Sequence, residues 1–406
     1  MEARLRYHGH VLFEPWPLRR LTSPNRVVRA ATYEGLASAE GVPSPQLGTL
    51  YAELARNDVG IVTTGFCYVA PRGRAMQPRQ AGIDHDDKIR PWAEVVRRVR
   101  AEGRETLLLM QIAHTGLQTL RSAVGGPPLA PGRYVSPYFR ARPRSMSGED
   151  IEEAIDEFAQ AARRAREAGF DGVEVHAAHG YLVHQFLSPV VNRRTDRWGR
   201  DRMAFLRAVV QAIRAQAGDE FPVFVKLSVP EGRPGGLEVE DHVAIVRALE
   251  ALGVEAVQVS TGTMDLAFGI FRGGFPTREI LEHSPLFAGR GPMQKALLER
   301  LVLPRLRARM PRLEEGYNVA AARVLKRYTS LPVVVVGGIR RRATMDAILE
   351  RGDADAVALA RPLICEPDLA RRLRTEEAAS ARCRSCNVCA VMTDTLQSLR
   401  CYRPPR

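Results

Sequence analysis

At 406 residues, with 45% hydrophobic and 26% charged side chains, the chain can bury a large core and has an ordinary globular composition. The formal net charge of +13 comes mainly from scattered arginines (Arg97, Arg98, Arg163, Arg164, Arg371, Arg372) with no nucleic-acid motif beside them, so solvated surface is the reading and a nucleic-acid partner is set aside. The longest apolar run, residues 331–336, is too short to span a bilayer, and the first residues lack the apolar core and cleavage site of a signal peptide, which points to a cytoplasmic protein with no membrane partner.

In chain order, a Pro/Asn turn closes residues 11–25, and 26–33 (RVVRAATY) read as a first strand. Residues 46–57 follow as a helix, with Leu47, Leu50 and Leu54 at helical spacing. Strand 58–64, helix 86–102 (Ile89, Trp92, Val95, Val96 and Val99 on one face) and strand 105–114 come next. After a Gly/Pro-rich loop, Ser147 reads as the N-cap of helix 148–168. Strands at 172–176, 221–227, 256–260, 331–338 and 355–361 then alternate with helices at 200–217, 239–252, 315–328 and 342–351. Eight such units predict a parallel α/β architecture, and the number favours a single closed (β/α)8 TIM barrel over a doubly wound open sheet. No Gly-x-Gly-x-x-Gly follows the first strand, which argues against a dinucleotide domain there. About fifty residues separate the sixth strand from the next helix, a length expected of a lid or binding loop over the barrel mouth. The expected division is a barrel over 1–375 and a Cys-rich extension over 376–406.

The most informative stretch is 172–199, GVEVHAAHGYLVHQFLSPVVNRRTDRWG. A lone histidine at a strand end is usually a satisfied core group. His176, His179, Gly180 and Tyr181 together, just past the carboxyl end of a strand, are where a barrel gathers reactive groups. With Gln185, Phe186, Leu187, Pro189, Asn192, Arg194, Asp196 and Gly199, the stretch resembles the signature of the Old Yellow Enzyme family of flavin-dependent ene-reductases.

The resemblance implies a barrel that binds FMN and takes hydride from NADH or NADPH. It implies Tyr181 as the general acid, and His176 and His179 as hydrogen-bond donors to the carbonyl oxygen of an alkene substrate. Ala31, Thr32, Gly65 and Gln111 match the positions that surround the flavin ring, Gly65 by leaving room for it. Lys226 matches the cationic position near the pyrimidine edge; its structural alternative is an ion pair inside the barrel. Gly337 and Gly338 after the seventh strand, with Ala360 and Arg361 after the eighth, suit a phosphate, because glycine allows close backbone approach and Arg361 adds a charge-assisted bond.

The tail carries Cys383, Cys386, Cys389 and Cys401, spaced C-x2-C-x2-C-x11-C, enough thiolates for an iron–sulfur cluster or zinc. It resembles the cluster segment of the dienoyl-coenzyme A reductase and trimethylamine dehydrogenase branch, which has one more residue between its second and third cysteines and a further C-terminal flavin and nucleotide domain. The expectation is therefore [4Fe–4S], Zn or reduced thiols. Cys67 and Cys365 read as small buried residues. The main expectation is reduction of an activated C=C bond by a chain that can form a homo-oligomer. The alternatives are a flavin dehydrogenase passing single electrons from a cluster to a partner protein, and a non-catalytic barrel with a zinc-stabilised interaction tail.

Overall fold

The computed structural model describes residues 11–284, 287–308 and 310–404. The reading of residues 1–10 lies outside them.

Eight parallel strands close a barrel: β1 (Val27–Arg29), β2 (Ile61–Thr63), β3 (Leu107–Ala113), β4 (Gly172–Ala177), β5 (Val223–Ser228), β6 (Ala256–Ser260), β7 (Val333–Val336) and β8 (Ala356–Leu359). Closure is carried by β8 against β1, where Val357 faces Val27 and Leu359 faces Arg29. The doubly wound alternative is thereby excluded. The strands are rich in Val and Leu and buried on both faces, polar members such as Glu174 and Lys226 included, as a parallel sheet covered by helices requires. Two apolar layers result. One fills the lumen with Val28, Ile61, Leu107, Leu109, Phe224, Ala256, Val334 and Ala356. The other lies between strands and helices, where Trp92, Phe158, Phe186 and Phe205 are fully buried.

Helices α1 (Pro45–Arg56), α2 (Ile89–Glu102), α3 (Gly148–Glu167), α4 (Ala204–Ala217), α5 (Asp241–Ala251), α6 (Val319–Lys326), α7 (Arg342–Glu350) and α8 (Leu369–Thr375) surround the strands. Ser147 caps α3 as expected: its Oγ accepts from Asp150 N at 3.1 Å, while Asp150 Oδ2 accepts from Ser147 N at 2.7 Å. Several elements are shorter than their patterns. The first strand ends at Arg29, because Ala30 to Tyr33 turn outward to line a cavity. The predicted helix 200–217 divides, with a short turn over Arg197–Arg200 before α4. The Gly/Pro-rich loop holds a small parallel pair, Leu129–Ala130 with Arg144–Ser145.

An antiparallel hairpin, Trp16–Pro17 with Thr22–Ser23, precedes β1. Its Trp16 packs into the lumen layer among residues near the amino ends of the strands and plugs that end. The opposite end stays open to carry the site. The long excursion after β6 folds into helices Thr277–His283, Pro292–Leu301 and Leu303–Ala308. Val391 of the tail joins Ile280, Leu281 and Leu303 of the excursion in a separate apolar cluster.

Candidate active site

The carboxyl ends of the strands open into a cavity of about 1020 Å³. That exceeds what one small ligand needs and leaves room for a cofactor and a substrate together. Ala31, Thr32, Gln111, His176, His179, Tyr181, Lys226, Gly337, Gly338, Ala360 and Arg361 all line it. Residues separated by more than three hundred positions thus meet at one mouth, because each sits at or just past a strand's end.

The local geometry begins with backbone. After β4, His179 (φ 59°) and Gly180 (φ 80°) are both left-handed. This tight turn puts both imidazoles and the phenol on the same side, and a non-glycine residue in that region is the kind of strain that collects at functional sites. His179 N donates to Ser228 Oγ at 2.8 Å, which holds the strained residue in place. His176 Nδ1 accepts from Ala178 N at 3.3 Å, so its proton sits on Nε2, 3.3 Å from His179 Nδ1. His179 Nε2 then lies 2.8 Å from Ser260 Oγ. As placed, the two donors serve each other and Ser260. Presenting both to a substrate oxygen requires these bonds to be exchanged. Burial, then the Lys226 charge, drives the pKa of His176 far below that of a free imidazole; burial and His176 do the same to His179. Both rings are therefore neutral donors.

Tyr181 packs its ring 4.6 Å from His176 and 5.5 Å from Phe66. Burial, then the charge of Asp394, raises its pKa well above that of a free phenol, so the phenol keeps its proton at neutral pH. Lys226 lies one strand over, in register with His176. It is buried and has no hydrogen-bond partner among the described residues, and Glu174 is the main group that offsets the cost of its burial. Glu174 in turn accepts from Gln111 Nε2 at 2.6 Å. The ion-pair alternative for Lys226 thus holds only as a field effect, and the ammonium faces the cavity.

The turn after β7 demands glycine because the 313–318 segment packs against it. Gly337 has φ 151° and Gly338 φ 69°. A Cβ on Gly338 would lie 2.7 Å from Glu314 O, and one on Gly337 would lie 2.9 Å from Asn318 Nδ2. Arg361 is held there by Arg272 O at 2.8 Å and by Asn387 Oδ1 of the tail.

Other expected positions differ in role. Gly65 does not line the cavity: the space beside it is taken by Glu34, whose Oε2 would be 2.1 Å from an added Cβ and whose Oε1 accepts from Gly65 N at 2.8 Å. Thr32 Oγ1 is engaged locally with Ala30 O at 3.0 Å. Much of the 172–199 signature is scaffold. Gln185 Nε2 donates to Thr115 O and Gly180 O, Asn192 Nδ2 to Phe186 O and Trp198 O, and Arg194 pairs with Asp196.

Sequence reasoning missed the tail's part in the cavity. Ser385, Cys389, Ala390, Val391, Thr393 and Asp394 all line it. Asp394 accepts from Gln77 Nε2 at 2.9 Å, and burial pushes its pKa up to about 6. No motif marked it, since a single Asp in a coil carries no periodicity. Cys365 also departs from its reading. It lines a small second cavity of about 20 Å³ with Cys383, Cys386, Cys389 and Cys401. Burial pushes Cys365 and Cys389 up to about 12, so both are protonated thiols. As placed, no three ligating groups among the described residues converge to hold a metal ion.

A profile of the NADH:flavin oxidoreductase / NADH oxidase family matches residues 11–283 and 293–379. The chain belongs to this family. A 4,4'-dithiodibutanoate disulfide reductase of Rhodococcus erythropolis is 32% identical over 385 residues, 93% of this chain and 92% of that one. Among solved structures, a 2-naphthoyl-CoA reductase superposes with a TM-score of 0.80 at 22% identity, over 97% of this chain but 56% of its own. An Old Yellow Enzyme homologue from Zymomonas mobilis superposes at 0.69 and 23% identity, over 91% and 94%. At such identities the superpositions speak to the fold alone, and they agree with the barrel described above. The Old Yellow Enzyme resemblance of residues 172–199 is upheld, and the protein is an FMN-type flavin oxidoreductase.

Proposed function

We propose that the chain reduces a C=C bond conjugated with an electron-withdrawing carbonyl, in an enone, an enoate or an enoyl or dienoyl thioester, with NADH or NADPH as reductant. The observation that carries this reading is the meeting of two neutral imidazoles, a protonated phenol and a buried lysine on one cavity. The site fits FMN: Lys226 is a buried cation lining the cavity, and the backbone of Gly337 and Gly338 lines the same cavity as Arg361. Lys226 and Gln111 would hold the pyrimidine edge, Ala31 and Thr32 the ring's flank, and Gly337, Gly338, Ala360 and Arg361 the phosphate. FMN, when bound, supplies the two-electron chemistry that links the nicotinamide to the alkene.

Hydride arriving at the substrate's β-carbon builds negative charge on the carbonyl oxygen. His176 and His179 donate to that oxygen once their bonds to each other and to Ser260 are exchanged, and a fully preorganised donor, which sets the upper bound, contributes about 3–4 kcal/mol. Tyr181 gives its proton to the α-carbon and recovers one from solvent, because its burial disfavours the phenolate. Such transfer typically contributes about 10²–10⁴-fold. Stopped-flow kinetics of Tyr181→Phe test the assignment. Alkene reduction should fall by about that factor while flavin reduction by NAD(P)H is unchanged. A loss in the flavin-reduction half instead would remove Tyr181 from the acid role.

The spacing of Cys383, Cys386, Cys389 and Cys401 is the basis of a second element of the reading, a [4Fe–4S] cluster or zinc; they line one small cavity with Cys365, and as placed they do not converge on a metal ion. Iron, sulfide and zinc analysis of anaerobically purified protein tests it. The electron-transfer alternative requires the cluster, and no step above is routed through it.

A further inference from the structure

Of the nine exposed large apolar side chains among the described residues, five lie within one short segment of the excursion: Met293, Leu297, Leu301, Val302 and Leu306. Met293, Leu297 and Leu301 recur every fourth residue and form one stripe along Pro292–Leu301, with Met293 87% and Leu297 59% exposed. A contiguous exposed apolar patch on a soluble chain marks a surface that is covered in use.

The same segment is strongly basic. Residues 287–312 carry seven Lys and Arg against one Glu. Many arginines elsewhere are paired with carboxylates, as Arg29 is with Glu34 and Arg323 with Asp353. Lys295, Arg300, Arg305 and Arg307 form no ion pair among the described residues. These cations are left unneutralised beside apolar side chains.

The patch is also continuous with the active-site cavity. Leu298 and Met310 line the cavity, while Val302 and Leu306 both line it and reach solvent, so they form its rim. Phe268, Phe271, Phe275 and Phe287 line the same cavity as His176 and Tyr181. The charge decides among occupants. A second copy in a two-fold interface would set basic patch against basic patch and be repelled. An anionic phospholipid surface satisfies both features at once, since the apolar stripe enters the acyl boundary and the cations meet phosphates.

We propose that this excursion is a membrane-surface docking element, lying on an anionic phospholipid bilayer with Met293, Leu297 and Leu301 inserted, so that the cavity rim opens toward the lipid and takes up apolar substrate from it. No helix among the described residues is long and apolar enough to cross a membrane, and a helix lying in the interface needs no such length. The inference does not rest on alkene reduction, and its test is read without turnover.

The full-length protein is sedimented with vesicles of phosphatidylcholine, with and without phosphatidylglycerol. Binding is expected only with phosphatidylglycerol. It should weaken as salt rises from ~0.1 M to ~1 M and the screening length falls from ~10 Å to ~3 Å. The triple variant Arg300→Gln/Arg305→Gln/Arg307→Gln should bind about a hundredfold more weakly, at roughly a fivefold loss per cation near the surface. Met293→Gln/Leu297→Gln should lose binding with an unchanged melting temperature, because both side chains are exposed. Absence of binding to phosphatidylglycerol vesicles at low salt overturns the proposal. So does equal binding to both vesicle types, or light scattering showing that the apolar substitutions dissolve a dimer, since the patch would then join two copies.

Discussion

Asp394 is the individual residue whose role depends most on its surroundings. It comes from the tail, faces the cavity, and its charge is one of the influences that raise the pKa values of Tyr33, Tyr138 and Tyr181. Burial lifts its pKa to about 6, above that of a free carboxyl, so the folded protein holds the proton more tightly than the unfolded chain does. Stability linked to this group is thus fully present below the unfolded value and is lost as pH rises through about 6. Asp394→Asn removes that dependence and keeps an acceptor for Gln77. Its melting temperature should exceed the parent's at pH 8, and the gap should close as pH falls toward 4. A gap that stays constant with pH would mean that Asp394 ionises as freely as in the unfolded chain.

Among the elements, the turn after β7 carries the proposed phosphate corner. Gly338 needs a left-handed backbone and has a carbonyl oxygen where a side chain would go. Gly338→Ala adds a steric cost of about 1–2 kcal/mol for the backbone alone. Fluorescence titration should show weakened FMN binding beyond what the stability loss explains. Unchanged affinity would move the phosphate away from this corner. The turn after β4 works by the same logic, since positive φ at His179 and Gly180 aims the imidazoles. The rest of the signature braces that turn through buried amides. A signature read from sequence therefore mixes reacting residues with scaffold, and spacing alone does not separate them.

For the molecule as a whole, the two barrel ends have separate tasks. Trp16 closes the amino end of the lumen and is 3% exposed, while every group assigned to chemistry sits at the other end. Trp16→Ala should cost about 3–5 kcal/mol, the range for deleting a large buried aromatic. Denaturant unfolding measures it, and FMN affinity should be unaffected. A matching loss of FMN affinity would mean that the lumen transmits strain from one end to the other.

Alternation of short apolar runs with amphipathic helices was sufficient for the eight-unit barrel, because a strand buried on both faces and a one-sided helix leave distinct residue periods. The His-x-x-His-Gly-Tyr cluster was legible for a similar reason, since few core positions tolerate two imidazoles and a phenol so close together. Periodicity says nothing about contacts between distant coil segments. That Cys365 joins the tail thiols, that Glu34 fills the space beside Gly65, and that Asp394 pairs with Gln77 all follow from where loops settle once the barrel has closed. Those contacts lie far apart in the chain and have no local pattern, so only the tertiary structure decides them.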